Sequence, residues 1–186
     1  MVKMLRTDLM IRGMFLSMLF FSIGSPIMKI EVWQGISPKY LAASWIIENS
    51  FIIVMIAFYD KYSNIIFKHY KLILLVETVV TIIATSLIAN HWMDVKVFFI
   101  INTLISCTLA RTISCCANRL KRLYHNGEDR ERFDNTSKIA FAIAGIIGSI
   151  VSFLPIPRGL AWTCCCLGCV TDNIFYYVAY IKAQTK

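Results

Sequence analysis

Charged residues are scarce in this sequence of 186 residues. They make up 16% of the chain, whereas soluble globular domains carry about 25%. Hydrophobic residues make up 58%. The sequence has no low-complexity linker and no polar stretch long enough for a soluble domain. This composition argues against a water-soluble fold.

Long apolar runs dominate what is present. Six of them follow one another along the chain, each near the ~20 residues that cross a hydrocarbon core of ~30 Å. They cover residues 9–28, 39–59, 72–90, 96–118, 139–155 and 159–181. In lipid, the backbone N–H and C=O groups must bond within the protein, so such segments can only be helices. The sequence therefore predicts one all-α integral membrane domain over residues 1–186, with six transmembrane helices in a half-transporter-like bundle.

Motifs of common enzyme classes are missing. The sequence contains no Gly-x-Ser-x-Gly, no His-Glu-x-x-His and no glycine-rich phosphate-binding loop, which mark hydrolases, zinc proteases and nucleotide-binding proteins. No Ser/His pair lies within the predicted spans. We therefore predict that the protein is not an enzyme and uses no cofactor.

Cysteine is abundant, but none of the seven cysteines lies in a predicted loop. They are Cys107, Cys115 and Cys116 in the fourth span and Cys164, Cys165, Cys166 and Cys169 in the sixth. No histidine accompanies them, because His69, His91 and His125 fall in predicted loops. A metal site needs converging ligands, whereas free cysteine packs well as a small apolar side chain. We predict a packing role and no metal.

Basic residues are distributed unevenly between the two sides. If the N-terminus is cytoplasmic, fourteen fall on that side: Lys3, Arg6, Arg12, Lys61, Lys68, Lys71, Arg119, Lys121, Arg122, Arg130, Arg132, Lys138, Lys182 and Lys186. The other side receives four: Lys29, Lys39, Lys96 and Arg158. The bias predicts a multi-pass protein of the cell (plasma) membrane with both termini cytoplasmic. The same bias accounts for the net charge of +8, because basic residues at the membrane surface attract anionic membrane lipids. We therefore predict no nucleic-acid partner.

Polar segments between spans are predicted to be cytoplasmic loops. One covers residues 60–71, and the longest covers residues 119–138. In the longer one, Asp134 or Asn135 is a plausible N-cap for the fifth span.

Small residues shape two of the predicted helices. Ala140, Ala144, Gly148 and Ser152 recur at every fourth position of the fifth span, which allows another helix to approach closely. That helix could belong to the same chain or to a second copy. Pro26, near the end of the first span, predicts a helix terminus or a kink.

Glu77 and Arg111 are ionisable residues within predicted spans three and four. A charged side chain inside the membrane costs at least ~2.5–3.5 kcal/mol on insertion scales, so it needs a partner, water or a neutral state. Counting ~1.5 Å per residue along each helix, both lie ~9–11 Å from the cytoplasmic boundary. Their matched depth predicts an ion pair, either as a structural clamp or as a gate.

Glu48 and Asp172 lie nearer the midplane, in spans two and six. Because desolvation disfavours a charged carboxylate, each could take up and release a proton or attract a cationic substrate. Alternatively, each could bond to the adjacent amide, Asn49 or Asn173. These residues, with Glu77 and Arg111, form the predicted path for substrate or protons.

Three places resemble the N-terminal six-helix half of a major facilitator superfamily transporter, in its macrolide-efflux-like branch. Residues 58–64 are similar to the family's loop between helices two and three. Ala110-Arg111-Thr112 is similar to its helix-four arginine motif, and residues 128–149 to its fifth-helix region. The resemblance implies that Asp60 and Lys61 gate the path and that Arg111 serves coupling or the substrate path.

The chain is half the length that this resemblance implies. Complete members have two six-helix halves around a central site, so two copies in a parallel homodimer with one self-complementary interface would rebuild that arrangement. The sequence predicts a half-size secondary transporter that moves a small-molecule substrate by alternating access, with proton coupling left open.

Two other functions stay open at this point. One is a membrane-embedded substrate-binding subunit of an ATP-driven uptake system, which the length and the span count fit. The other is a non-transporting accessory or immunity membrane protein. Ser63 and Ile56 stand where the family has glycines, and that loss favours the accessory protein.

Overall fold

A computed structural model describes residues 8–125 and 127–184. Lys3, Arg6 and Lys186 of the predicted topology lie outside these residues. The described chain is almost entirely helical and contains no strand. Its helices are α1 (Leu9–Gly35), α2 (Pro38–Lys68), α3 (Tyr70–Ala89), α4 (Val95–Ile105), α5 (Arg111–Tyr124), α6 (Glu128–Val151) and α7 (Arg158–Gln184). A π-helical segment, Ser106–Ala110, joins α4 to α5.

Five helices of the described chain are long and apolar enough to cross a membrane. They are α1 over Leu9–Val32, α2, α3, the continuous helix Val95–Tyr124, and α7. The predicted all-α class is confirmed, and the five span-length apolar helices are those expected of a membrane-embedded protein. The apolar part of α6, residues 139–151, is only about 20 Å long at ~1.5 Å per residue. The sixth span and the side of the termini therefore stay predictions.

The predicted loop after the second span is helical. α2 continues to Lys68, and only His69 separates it from α3. Asp60 and Lys61 are therefore exposed residues of a helix, and their placement in a loop was wrong. No glycine or proline lies between residues 39 and 68 to end the helix. The backbone departs from helical geometry at Tyr62, with φ −116° and ψ 15°.

The long polar loop between the fourth and fifth spans is also largely helical. α5 continues to Tyr124 and α6 begins at Glu128, so the loop predicted over residues 119–138 was wrong. Gly127, at φ 54°, precedes α6, and three acidic residues in the first turn of α6 favour its N-terminus through the helix dipole. Asp134 lies inside α6 and not at its N-cap.

α1 begins at a side-chain cap and continues through its proline. The Asp8 carboxylate accepts hydrogen bonds from the backbone N–H of Met10 at 2.9 Å and of Ile11 at 3.2 Å, which satisfies donors that a helix start leaves unpaired. Pro26 lies inside α1, which runs on to Gly35, so the predicted terminus at Pro26 was wrong. In a membrane bundle, neighbouring groups can satisfy the carbonyl that a proline leaves free.

The helices pack in two groups. α1 lies between α6 and α7, and α7 also packs along α3. The second group is α2 with the continuous helix α4–π–α5, and it meets the first group through sparser contacts. α2 lies at the periphery of the bundle, since only 6% of its most apolar stretch is buried.

The small-residue stripe of α6 faces α1 of the same chain. Ala140, Ala144 and Gly148 are buried. A Cβ added at Gly148 would lie 2.7 Å from the Leu19 carbonyl oxygen and 2.7 Å from the Ser22 Cβ, so this contact needs glycine. The stripe therefore serves packing within the chain and gives no support to a homodimer.

Polar contacts join helices at both ends of the bundle. At the terminal end, where α1 begins and α7 ends, Asp8 Oδ2 lies 3.0 Å from His125 Nε2. At the opposite end, Arg158 Nε donates to Glu31 at 2.6 Å and Arg158 Nη1 donates to the Ala89 carbonyl at 2.8 Å. The Trp162 indole N–H also donates to Glu31, at 3.2 Å. These contacts join α1, α3 and α7 and fix their relative height.

Candidate functional site

A polar cavity of about 240 Å³ lies where the two helix groups meet. α1, α3, α5 and α7 each contribute to its wall. Its polar lining is Ser17, Glu77, Ser114, Asn118, Lys121, Cys169, Asp172, Asn173 and Tyr176. Polar groups inside a membrane are costly, so this concentration makes the cavity the candidate functional site.

Helical spacing brings these side chains to one place. On α7, Cys169, Asn173 and Tyr176 follow one another at intervals of four and three residues, with Asp172 beside them. On α5, Ser114, Asn118 and Lys121 have the same spacing. Residues three or four apart share a helix face, so α5 and α7 each present a polar strip to the cavity. Glu77 of α3 completes it.

Glu77 is held by the Asn173 side chain. Both are buried, at 8% and 5% exposure. The Asn173 amide donates hydrogen bonds to the Glu77 carboxylate and to the Thr78 hydroxyl, the latter at 3.0 Å. This pairing satisfies a buried acceptor that would otherwise be destabilising, and it joins α3 to α7 across the cavity wall.

The predicted bonds between neighbouring carboxylates and amides were wrong. Asn173 bonds to Glu77 and not to Asp172. Asn49 donates to the Trp45 carbonyl at 2.7 Å and not to Glu48. Adjacent residues on a helix point about 100° apart, whereas residues three or four apart face each other.

Lys121 supplies the positive charge of the cavity. Its ammonium lies 6.0 Å from the centroid of the Tyr176 ring, within reach of a cation–π interaction. It also attracts Asp172 electrostatically. Sequence reasoning counted Lys121 only as a topology signal. Its spacing from Ser114 and Asn118 was the signal that could have placed it in the site.

The predicted ion pair between Glu77 and Arg111 is absent. Both side chains belong to the described residues, and no contact within ion-pair distance joins them, whereas Glu31 and Arg158 do form such a pair. Arg111 follows the π-helical segment and is half-buried, but it does not line the cavity, although Ala110 does. Its Nε is buried without a hydrogen-bond partner. Depth along the helix leaves the rotation of the helix undetermined, so it could not show whether Arg111 faces Glu77.

Glu48 and Asn49 lie on the peripheral helix α2, away from the cavity. Glu48 is half-buried and close enough to Cys107 to interact electrostatically, and Asn49 is exposed. Of the six residues predicted for the path, the structure therefore brings together Glu77, Asp172 and Asn173. Glu48, Asn49 and Arg111 lie elsewhere, and the roles of all six stay predictions.

The cysteines are free thiols distributed over two helices. Cys107, Cys116, Cys164 and Cys165 are buried, and the other three are half-buried. Within the described ranges, no three His, Cys, Asp or Glu side chains cluster in a way that could hold a metal ion. Cys169 alone among the seven lines the polar cavity.

Comparison of this chain with protein-family models, with curated proteins and with solved structures found no match.

Proposed function

We propose that this chain is a secondary transporter that moves a small solute across the cell membrane through the polar cavity. The observation that carries the proposal is the cavity itself. Two carboxylates, two amides and a lysine line it, between helices that belong to span-length apolar segments. Ionisable residues within membrane helices mark paths for substrates or ions, and a solute that leaves water needs polar partners in place of water.

The position of the cavity supports alternating access. Its α5 wall belongs to one helix group, and its α1, α3 and α7 walls belong to the other. A shift of one group against the other would open the cavity to one side at a time. The π-helical segment Ser106–Ala110 ends at the cavity wall, and such segments occur frequently at functional sites.

A parallel homodimer remains part of the proposal. The exposed apolar face of α2 is available for a second copy or for lipid. The resemblance to half of a major facilitator superfamily transporter motivates the pairing, with Asp60 and Lys61 as gating residues and Arg111 as a coupling residue. The termini are proposed to be cytoplasmic, in keeping with the basic residues at the terminal end.

A second candidate is a membrane-embedded substrate-binding subunit of an ATP-driven uptake system. The observation that favours it is that one chain supplies every wall of the cavity, so a single copy could capture a solute. Stable co-purification with an ATPase module would support this candidate. A dimer in nanodiscs without such a module would count against it.

Transport is tested in proteoliposomes that enclose a pH-sensitive dye. Cationic, neutral and anionic small solutes are added singly to a preset proton gradient, and both dye response and solute uptake are measured. We expect at least one solute to be taken up, with loss of uptake in Glu77→Gln and Asp172→Asn. Glu128→Gln and Asp129→Asn, both exposed in the first turn of α6, are the matched controls. Uptake that is equal in all variants, or no uptake of any solute, would refute the proposal.

A further inference from the structure

We propose that the polar cavity binds a small organic monocation of the alkylammonium class, and that the Lys121 side chain is a tethered cation that competes with it. The inference rests on the proposed function only in taking this cavity as the binding site. Three observations support it: the charge of the cavity, the position of Lys121, and the apolar wall on α5.

The charge of the cavity favours a cation. The ionisable groups that face it are Glu77 from α3, Lys121 from α5, and Cys169, Asp172 and Tyr176 from α7; α1 contributes only the Ser17 hydroxyl. With both carboxylates ionised, one lysine leaves a formal charge of −1. Uncompensated charge inside a low-dielectric bundle is unfavourable. One further positive charge, either a proton or a ligand, would neutralise the site.

The position of Lys121 shows which chemistry the site accepts. Its ammonium lies over the Tyr176 ring, 6.0 Å from the centroid, and is attracted to Asp172. An aromatic face with carboxylates beside it is the arrangement that recognises ammonium ligands. Lys121 forms no ion pair with either carboxylate among the contacts of the described chain. Its flexible four-carbon stem allows it to move aside for a ligand or to return.

The remaining wall suits a short alkyl chain. Ala110 of the π-helical segment and Ile113 and Ala117 of α5 line the cavity beside the polar groups. The volume of about 240 Å³ far exceeds the ~10–15 Å³ that a single water molecule needs. An ammonium group with a chain of a few carbons fits that volume. An anion would face two carboxylates against a single lysine.

The test compares three ligands of equal chain length on the full chain in nanodiscs of zwitterionic lipid. Isothermal titration measures the binding of n-butylammonium, n-butanol and butyrate at several pH values. We expect n-butylammonium to bind at least about tenfold more tightly than the other two, since only it gains the attraction of the carboxylates. Its affinity falls as the pH is lowered, because protons compete for the carboxylates.

Two variants separate the roles of the charged groups. Asp172→Asn is expected to weaken n-butylammonium binding about tenfold or more, because it removes an attractive charge. Lys121→Gln is expected to tighten binding by a similar factor, because it removes the competing cation. Arg122→Gln, which changes the exposed residue next to Lys121, leaves binding unchanged. The ligand comparison on the unaltered chain needs no variant and so does not depend on variant folding.

Three results would overturn the inference. They are equal binding of the three ligands, tighter binding of butyrate, and weaker n-butylammonium binding in Lys121→Gln with the fold intact. These results are distinct from failure of the transport proposal, because equilibrium binding requires no flux. Cation binding without uptake would refute transport alone. If only neutral or anionic solutes are taken up, and Asp172→Asn abolishes that uptake, the cation selectivity is refuted and the transport proposal is not.

Discussion

Replacing Gly148 with alanine tests the central helix contact of this fold. The added Cβ would lie 2.7 Å from both the Leu19 carbonyl oxygen and the Ser22 Cβ, about 0.7 Å short of ordinary contact distance. One of these atoms belongs to the backbone, so α1 and α6 must move apart. Overpacking of this kind costs about 1–3 kcal/mol.

Two matched glycines calibrate the effect. A Cβ at Gly145 would approach only the flexible end of Met18, at 3.1 Å, and a Cβ at Gly159 would meet nothing within 4 Å. Gly145 and Gly148 lie inside α6, so both substitutions gain a helix propensity of up to ~1 kcal/mol and their comparison isolates the packing cost. Gly159 is the second residue of α7 and shows the effect of a methyl group in open space. We expect stability to fall in the order Gly159→Ala, Gly145→Ala, Gly148→Ala.

Thermal unfolding in detergent measures this order. A thiol-reactive fluorogenic dye reports unfolding, because Cys107, Cys116, Cys164 and Cys165 are buried in the folded state. At about 2–4 °C per kcal/mol for a chain of this size, a cost of about 1–3 kcal/mol should make Gly148→Ala melt roughly 2–12 °C below Gly159→Ala. Equal melting of these two variants would refute the close contact between α1 and α6. Loss of a dimer in Gly148→Ala would assign the stripe to a second copy instead.

Two further predictions concern polar contacts between helices. Asn173→Leu should destabilise the protein by about 1–3 kcal/mol, since it leaves the buried Glu77 carboxylate without its hydrogen-bond donor. The double variant Glu77→Leu, Asn173→Leu should recover most of this loss in the same unfolding assay. Additive losses of the two single variants would contradict the prediction. Glu31→Gln and Arg158→Met should couple by about 0.5–1 kcal/mol in a double-mutant cycle, because the pair is only partly exposed at 21% and 25% and partly exposed pairs are weakened by solvent and salt. The coupling energy should shrink in high salt. Lys29→Met changes an exposed lysine of the same helix as Glu31 and is the control that should leave stability unchanged. A coupling energy of zero would show that the pair does not form.

The carboxylates illustrate what could be predicted of the site. Glu77 and Asp172 were identified from the cost of charge in an apolar span, and the structure places both at one cavity. Glu48 satisfied the same criterion but lies on the peripheral helix α2. The criterion identifies residues that need a polar partner, and it does not reveal whether that partner is a cavity, a neighbouring helix or the bundle surface.

Loops were the least predictable elements. Polar residues such as Asp60 and Lys61 were assigned to a loop because they interrupt the apolar run. A membrane boundary changes the solvent but does not end a helix, and no glycine or proline stops α2 there. The same reasoning explains how α5 and α6 extend into the predicted polar segment.

The sequence by itself determined that this protein is a helical membrane protein, because long apolar runs can satisfy their backbone in lipid only as helices. It also identified the small-residue stripe and two of the three charged residues of the cavity. Only the tertiary structure decided which residues meet. Three features depend on how each helix is rotated about its axis. Glu77 pairs with Asn173 instead of Arg111, Lys121 faces the cavity, and the small-residue stripe is buried against α1. Hydropathy and depth do not fix that rotation; packing between specific side chains does.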